Sequence, residues 1–311
     1  MALALLLAGL AALLVGGDLL VRGAVGVARR LSVPPLVIGL TLVGFGTSAP
    51  ELATSLQAAL SGAPGIAAGN VVGSNIANIL LILGLAAATR PVAVDGPAFR
   101  RDGAALVLAT ALATALMLSG LLSRWHGALL LAGLAAFLVA VLRRPGPLTG
   151  AAPSDGMEVP PRRLGAAASA VAFLAGLGLV LGGAWALVSG ATAIAARLGV
   201  SEAAIGLTVV AVGTSLPELV TSVAAARRGA GDIAFGNVIG SNIFNLLGIL
   251  GATALVSPLA VPARIVAVDL WAMAGATALL VAAAVTGLRV TRAEGAGLLA
   301  LYAGYVALTL R

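Results

Sequence analysis

The chain contains no cysteine and no lysine, a single histidine, and few charges of any kind. Without cysteine, disulfides and thiol chemistry are excluded. His126 stands beside Arg124 and Trp125 in a short predicted loop, and reads as an interfacial residue rather than a ligand. Only 9% of the 311 residues are charged, against 60% hydrophobic, and the mean hydropathy is +1.12. A soluble domain of this length needs far more charge to cover its surface. The formal charge of +7 comes from eighteen arginines against eleven acids. No basic stretch is interleaved with aromatics, and the arginines sit at the ends of apolar runs, where membrane topology explains them. The expected partner is therefore the lipid bilayer, not nucleic acid.

What the chain does have is long apolar runs. Stretches such as 1–28 and 163–196 exceed the ~20 residues needed to span a bilayer. The first lacks the basic start and short apolar core of a cleaved signal peptide, and is read as helix 1. Apolar runs between charged or Gly/Pro breaks give ten spans, near 2–28, 33–60, 65–88, 102–121, 125–142, 164–196, 200–226, 232–256, 265–287 and 294–310. Residues 143–163 form the only long polar stretch; their proline, glycine and mixed charge mark a linker between a first unit, 1–142, and a second, 164–311.

The two units are copies. At an offset of 167, IGLTLVGFGTSAPELATS (38–55) aligns with IGLTVVAVGTSLPELVTS (205–222), and GNVVGSNIANILLILG (69–84) with GNVIGSNIFNLLGILG (236–251). The second pair matches at 12 of 16 positions without a gap. Weaker matches include Gly16 with Gly183, Gly23 with Gly190, Pro91 with Pro258 and Asp102 with Asp269. Because five crossings is an odd number, the second copy enters from the opposite side, which predicts an all-α membrane protein of ten transmembrane helices in two inverted five-helix repeats. The segments after helices 1, 3, 5, 7 and 9, with helix-end Arg22, carry 14 of the 18 arginines. The positive-inside bias then places the linker in the cytoplasm and both termini outside.

Ionisable residues within the spans are scarce. Glu51 and Glu218 lie deepest, each within GTS-x-PEL, and Asp18 is the other clear candidate. A carboxylate in the bilayer costs several kcal/mol unless compensated, so its default reading is functional. Thr47 and Ser48 stand four and three residues before Glu51, on one face of a helix, as Thr214 and Ser215 do before Glu218. Pro50 and Pro217 cannot donate to the carbonyls of Gly46 and Gly213. Each motif thus offers a carboxylate, hydroxyls and freed carbonyls, the oxygen ligation that hard cations take. The plainer alternative is two kinked helices with protonated or paired carboxylates and hydroxyls bonded to their own backbone.

Asn70, Ser74 and Asn78 form a polar stripe at four-residue steps, repeated by Asn237, Ser241 and Asn245. Ser74, Asn78, Ser241 and Asn245 are candidates to complete a cation shell. The pairs Gly69/Gly73 and Gly236/Gly240 equally suit close helix packing, and both roles can hold at once. For Asn75 and Asn242, turned about 100° away, packing or backbone bonding is as good an account. Asp18, four before Arg22, reads as a pair that snorkels to the interface. Asp155, Glu158 and Glu294 are expected to be solvated.

These motifs, their order and the five-plus-five layout resemble the two alpha-repeats of the sodium/calcium exchanger family, within the cation/calcium antiporters. The resemblance implies a core of helices 2, 3, 7 and 8, with helices 1 and 6 sliding against it. It implies Glu51 and Glu218 as shared Ca²⁺ and Na⁺ ligands, with Thr47, Ser48, Thr214, Ser215, Ser74, Ser241, Asn78 and Asn245 as further ligands. Potassium-dependent members carry Asp where this chain has Asn245, and proton-coupled members carry Glu near Ser74 and Ser241. Both departures favour sodium coupling without potassium. The expectation is a prokaryotic plasma-membrane antiporter, not an enzyme, that takes Na⁺ and Ca²⁺ as substrates and needs no cofactor. Proton-coupled antiport, a passive channel and a membrane scaffold are its rivals.

Overall fold

The fold comes from a computed structural model, which describes residues 1–31, 35–143, 165–197 and 211–309. Backbone groups in hydrocarbon must bond within the chain, so apolar runs of this length form helices. Among the described residues the helices make ten successive rods. They are α1 (Ala2–Leu31), α2 (35–60), α3 (Pro64–Thr89), α4 (Gly96–Met117), α5 (Arg124–Arg143), α6 (Ala166–Arg197), α7 (211–227), α8 (Gly231–Val256), α9 (Ile265–Gly287) and α10 (Arg292–Thr309). Six of these are long and apolar enough by themselves to cross a membrane: α1, α3, α5, α6, α8 and α9. Of the other four, α2 and α7 are broken by the site motifs, whereas α4 and α10 begin with charged residues.

Most span limits match the hydropathy reading, but α4 begins at Gly96 rather than 102 and ends at Met117. Arg100 and Arg101 are accommodated in its opening turns, where Arg101 pairs with Asp102 at 2.6 Å. Residue 121, the expected end of this span, lies instead in a short ribbon, 121–122 against 259–260. The expected linker at 143–163 lies outside the described residues apart from Arg143, as do residues 200–210 of the seventh span.

The inverted duplication is visible in the small connections. Gly62 and Gly229, 167 residues apart, both take positive φ (77° and 72°) in the turns that reverse the chain after α2 and α7. Two short antiparallel ribbons repeat the same relation. Val92–Ala93, after α3, pairs with Arg289–Val290, after α9, whereas Leu259–Ala260, after α8, pairs with Leu121–Leu122, after α4. One ribbon lies at each end of the bundle.

The core centres on α3 and α8, whose apolar windows are 78% and 83% buried, against 33% and 28% for α1 and α6. Glycine sets how closely the rods approach. A Cβ on Gly240 of α8 would sit 2.2 Å from the Leu40 carbonyl oxygen of α2, and one on Gly39 would meet the Ile233 carbonyl at 2.8 Å. This is the small-residue packing expected of the second motif. The antiparallel pair α1–α6 is comparably close. Gly9, Gly16 and Gly23 recur at seven-residue steps and mirror Gly176, Gly183 and Gly190; a Cβ on Gly23 would reach the Phe173 amide nitrogen at 2.3 Å.

Candidate cation site

The α2 helix is interrupted at Ser48 (φ −81°, ψ 8°), and α7 at Ser215 (φ −89°, ψ 5°). Proline stands two residues beyond each break, in the first turn of the following segment, where its missing N–H costs nothing. Glu51 and Glu218 fall in the same first turns, at the positive ends of Ala49–Leu60 and Leu216–Arg227. Both glutamates are 1% exposed.

Each break is followed by a Ser-x-x-Glu pattern that could form a local capping box. The hydroxyls instead cross between the repeats. Ser48 Oγ donates to Glu218 Oε1 at 2.8 Å, and Ser215 Oγ donates to Glu51 Oε1 at 3.2 Å. The helical spacing suggested that each serine shares a face with the glutamate of its own motif. The break at the serine turns it away, so that one repeat's hydroxyl serves the other repeat's carboxylate.

No ion pair reaches either glutamate among the described residues. The arginines pair elsewhere: Arg22 (2.9 Å) and Arg228 with Asp18, Arg101 with Asp102, and Arg264 with Asp269 at 3.9 Å. Asp18 is therefore an ion-pair residue, as its spacing from Arg22 predicts. Asp102 is a buried acid that the span count overlooked, because it was placed at a helix start rather than inside α4. His126 lies on the first turn of α5, where its Nδ1 accepts from the Ser123 amide.

The remaining candidates differ in burial and in what they bond. Thr47 is buried, and its hydroxyl donates back to the Val43 carbonyl at 3.0 Å. Thr214, at the end of the described first part of α7, is half-buried. Ser74 and Ser241 are 5% and 0% exposed, and Ser241 Oγ donates to the Gly44 carbonyl at 3.2 Å, leaving its lone pairs free. Asn78 and Asn245 are each 1% exposed and lie where α3 and α8 widen into π-helical turns, Asn78–Leu83 and Phe244–Ile249. Such turns recur at functional sites. Of the residues one face away, Asn75 donates to the Val71 carbonyl, and Asn242 accepts from Asn78 at 3.1 Å.

Several buried acceptors lack a partner: Oε2 of Glu51 and of Glu218, and Oδ1 of Asn78, Asn245 and Asn75. Buried oxygens without donors are costly in an apolar interior, and a cation between the two glutamates would offer their free oxygens a partner. Among the described residues no group of three or more His, Cys, Asp or Glu gathers to hold a metal. Two buried carboxylates with hydroxyl and amide oxygens on the same helices make an oxygen-donor cage of the kind that hard ions take in preference to transition metals.

The two sides of the cage differ. Thr54, Asn70 and Thr214 are half-buried, whereas Thr221 and Asn237, which mirror the first two, and Thr47, which mirrors the third, are 0% exposed. The half-buried residues lie toward the end of the bundle where α2 passes into α3, and their fully buried mirrors lie toward the end where α7 passes into α8.

The model of the family described as sodium/calcium exchanger protein matches residues 1–143 and 168–311, so both repeats are covered. The chain belongs to the sodium/calcium exchanger family. Its relatives include the inner membrane protein YrbG of Escherichia coli (strain K12), 40% identical over 83% of this chain and 81% of that one. The sodium/calcium exchanger MaX1 of Methanosarcina acetivorans is 34% identical over 97% of this chain and 96% of its own length. Among solved structures, the sodium–calcium exchanger NCX_Mj soaked with Na⁺ and Sr²⁺ superposes with a TM-score of 0.87 at 35% identity, covering 98% of this chain and 97% of that one. The exchanger is thus an integral membrane protein with the ten-helix, inverted-repeat fold, and Na⁺ and Ca²⁺ are the substrates of its family.

Proposed function

We propose that this exchanger moves Na⁺ against Ca²⁺ by alternating access at the cage around Glu51 and Glu218. The observation that carries the proposal is the pair of buried carboxylates that, among the described residues, have no cationic partner and each keep an oxygen without a donor, as do Asn78 and Asn245. The ligands are Glu51, Glu218, Thr47, Ser48, Thr214, Ser215, Ser74, Ser241, Asn78 and Asn245. The relation to MaX1 and NCX_Mj supports Na⁺ and Ca²⁺ as the exchanged pair.

Two carboxylates neutralise one Ca²⁺. A Na⁺ placed 4 Å from that Ca²⁺ would meet about 8 kcal/mol of repulsion at an effective dielectric constant near 20. The ions therefore exclude one another, while Na⁺ ions alone can use the same oxygens. Mutual exclusion at a site open to one side at a time produces antiport. The inverted repeats supply two end states of similar energy, one open to each side. We assign the Arg-rich end, with residues 143–163, to the cytoplasm of a prokaryotic inner membrane and both termini to the outside.

The test is ⁴⁵Ca²⁺ uptake into proteoliposomes loaded with Na⁺. Uptake should require internal Na⁺ and fall at least a hundredfold in Glu51→Gln and Glu218→Gln, since uncoupling a buried charge pair costs about 3–5 kcal/mol. Uptake that ignores Na⁺ but follows an imposed pH gradient would replace this reading with proton coupling.

A further inference from the structure

Two asparagines of the second motif point away from the carboxylate oxygens. Asn70 Nδ2 donates to the Glu51 carbonyl at 3.2 Å and to Ser55 Oγ at 2.9 Å. Asn237 Nδ2 donates to the Glu218 carbonyl at 3.3 Å and to Ser222 Oγ at 2.9 Å. The pattern occurs twice, once per repeat, with the same 19- and 15-residue separations. A backbone carbonyl can only accept, which fixes the direction in which each amide faces. Both hydrogens of each amide are therefore committed. Asn237 reaches further: its Oδ1 lies 3.3 Å from Thr47 Oγ1, on the helix half ahead of the opposite break, as a second acceptor for the one hydroxyl hydrogen that otherwise goes to the Val43 carbonyl.

We infer that Asn70 and Asn237 are positioning residues for the two site glutamates. The inference rests on the exchange function proposed above. Each glutamate follows a helix break, so continuous backbone hydrogen bonding does not fix its height relative to α3 or α8. The asparagine supplies that link. It ties the glutamate's own carbonyl, and the hydroxyl one turn on, to the helix that carries Ser74 and Asn78 or Ser241 and Asn245. Carboxylate and neutral oxygens then move as one frame, and ligand spacing is kept while the site changes its access. A binding constellation has to be held to within about 0.5 Å, which a broken helix alone does not provide.

The test is the Ca²⁺ concentration dependence of Na⁺-driven ⁴⁵Ca²⁺ uptake, measured on size-exclusion-purified protein for wild type, Asn70→Ala, Asn237→Ala, Ser55→Ala and Ser222→Ala. Gln57→Ala, exposed on the second half of α2, is the control. The asparagine variants should raise KM for Ca²⁺ at least tenfold. The serine variants, which keep the bond to the glutamate carbonyl, should raise it two- to fivefold. The control should stay within twofold of wild type. A merely structural role would reduce the active fraction, and so lower maximal rate at unchanged KM. Folded asparagine variants with wild-type KM would overturn the inference. If those variants do not fold, an unchanged KM in both serine variants would overturn it. Wild type that carries no Ca²⁺ under a Na⁺ gradient would instead sink the exchange reading, and this one with it.

Discussion

The crossed serine–glutamate bonds make a prediction that no single-repeat picture of the site would make. Ser48 Oγ lies 2.8 Å from Glu218 Oε1, and Ser215 Oγ lies 3.2 Å from Glu51 Oε1. A hydrogen bond to a charged, buried acceptor is worth about 1.5–3 kcal/mol, and the shorter bond belongs at the upper end. Ser48→Ala should therefore lose most of its effect when Glu218 is already Gln, and much less when Glu51 is. In double-mutant cycles on the Ca²⁺ dissociation constant, measured by ⁴⁵Ca²⁺ equilibrium binding without Na⁺, two pairs should couple strongly: Ser48/Glu218 and Ser215/Glu51. All four residues share one ion, so the same-motif pairs Ser48/Glu51 and Ser215/Glu218 will couple too. The crossed pairs should exceed them by about 1 kcal/mol or more, close to fivefold in the constant. Equal coupling, or stronger coupling within a motif, would refute the crossed geometry and return each serine to its own glutamate.

Two further outcomes test packing and orientation. Gly240→Ala places a methyl against the Leu40 backbone oxygen, which cannot swing aside, so purified protein should lose at least 5 °C of thermal midpoint or fail to stay monodisperse. Gly178→Ala, exposed on α6 with nothing near its Cβ, should change the midpoint by less than 2 °C in the same thermal-shift assay. Because the chain has no cysteine, single introduced thiols report cleanly: with intact cells, Leu121→Cys should react with a membrane-impermeant maleimide and Arg289→Cys should not. The reverse labelling would invert the assigned topology.

Much of this molecule can be read from its amino acids, because membrane insertion and gene duplication both write plainly. The apolar spans, the 167-residue offset and the placement of arginine suffice for ten helices in two inverted sets. The two glutamates stand out because a carboxylate is so expensive at that depth. What sequence spacing could not show is the break at Ser48 and Ser215. An assumed continuous helix puts serine and glutamate on one face, but the actual turn hands each serine to the other repeat. The roles of Asn70 and Asn237 were equally hidden: a four-residue stripe shows a shared face, not which way an amide turns. Asp102 was missed for a simpler reason. Hydropathy counting starts a helix after its charges, whereas α4 carries Arg100 and Arg101 inside its opening turns.

The glycine seam between α1 and α6 has a further consequence. Gly9 packs against Gly183, and Gly16 against Gly176; these partners are the copies of Gly16 and Gly9 respectively. Position i meets the copy of j, and j meets the copy of i, which is the signature of an isologous two-fold dimer interface. The seam is therefore self-complementary: one seven-residue glycine pattern recognises itself in reverse. A single five-helix chain, inserted in both orientations, already holds the surface needed to build this contact. Joining two such chains would tether an existing partnership without creating a new one. Thereafter each copy was free to change alone, as Phe45 has against Val212 and Phe244 against Ala77, whose two rings now stack 4.4 Å apart between the repeats.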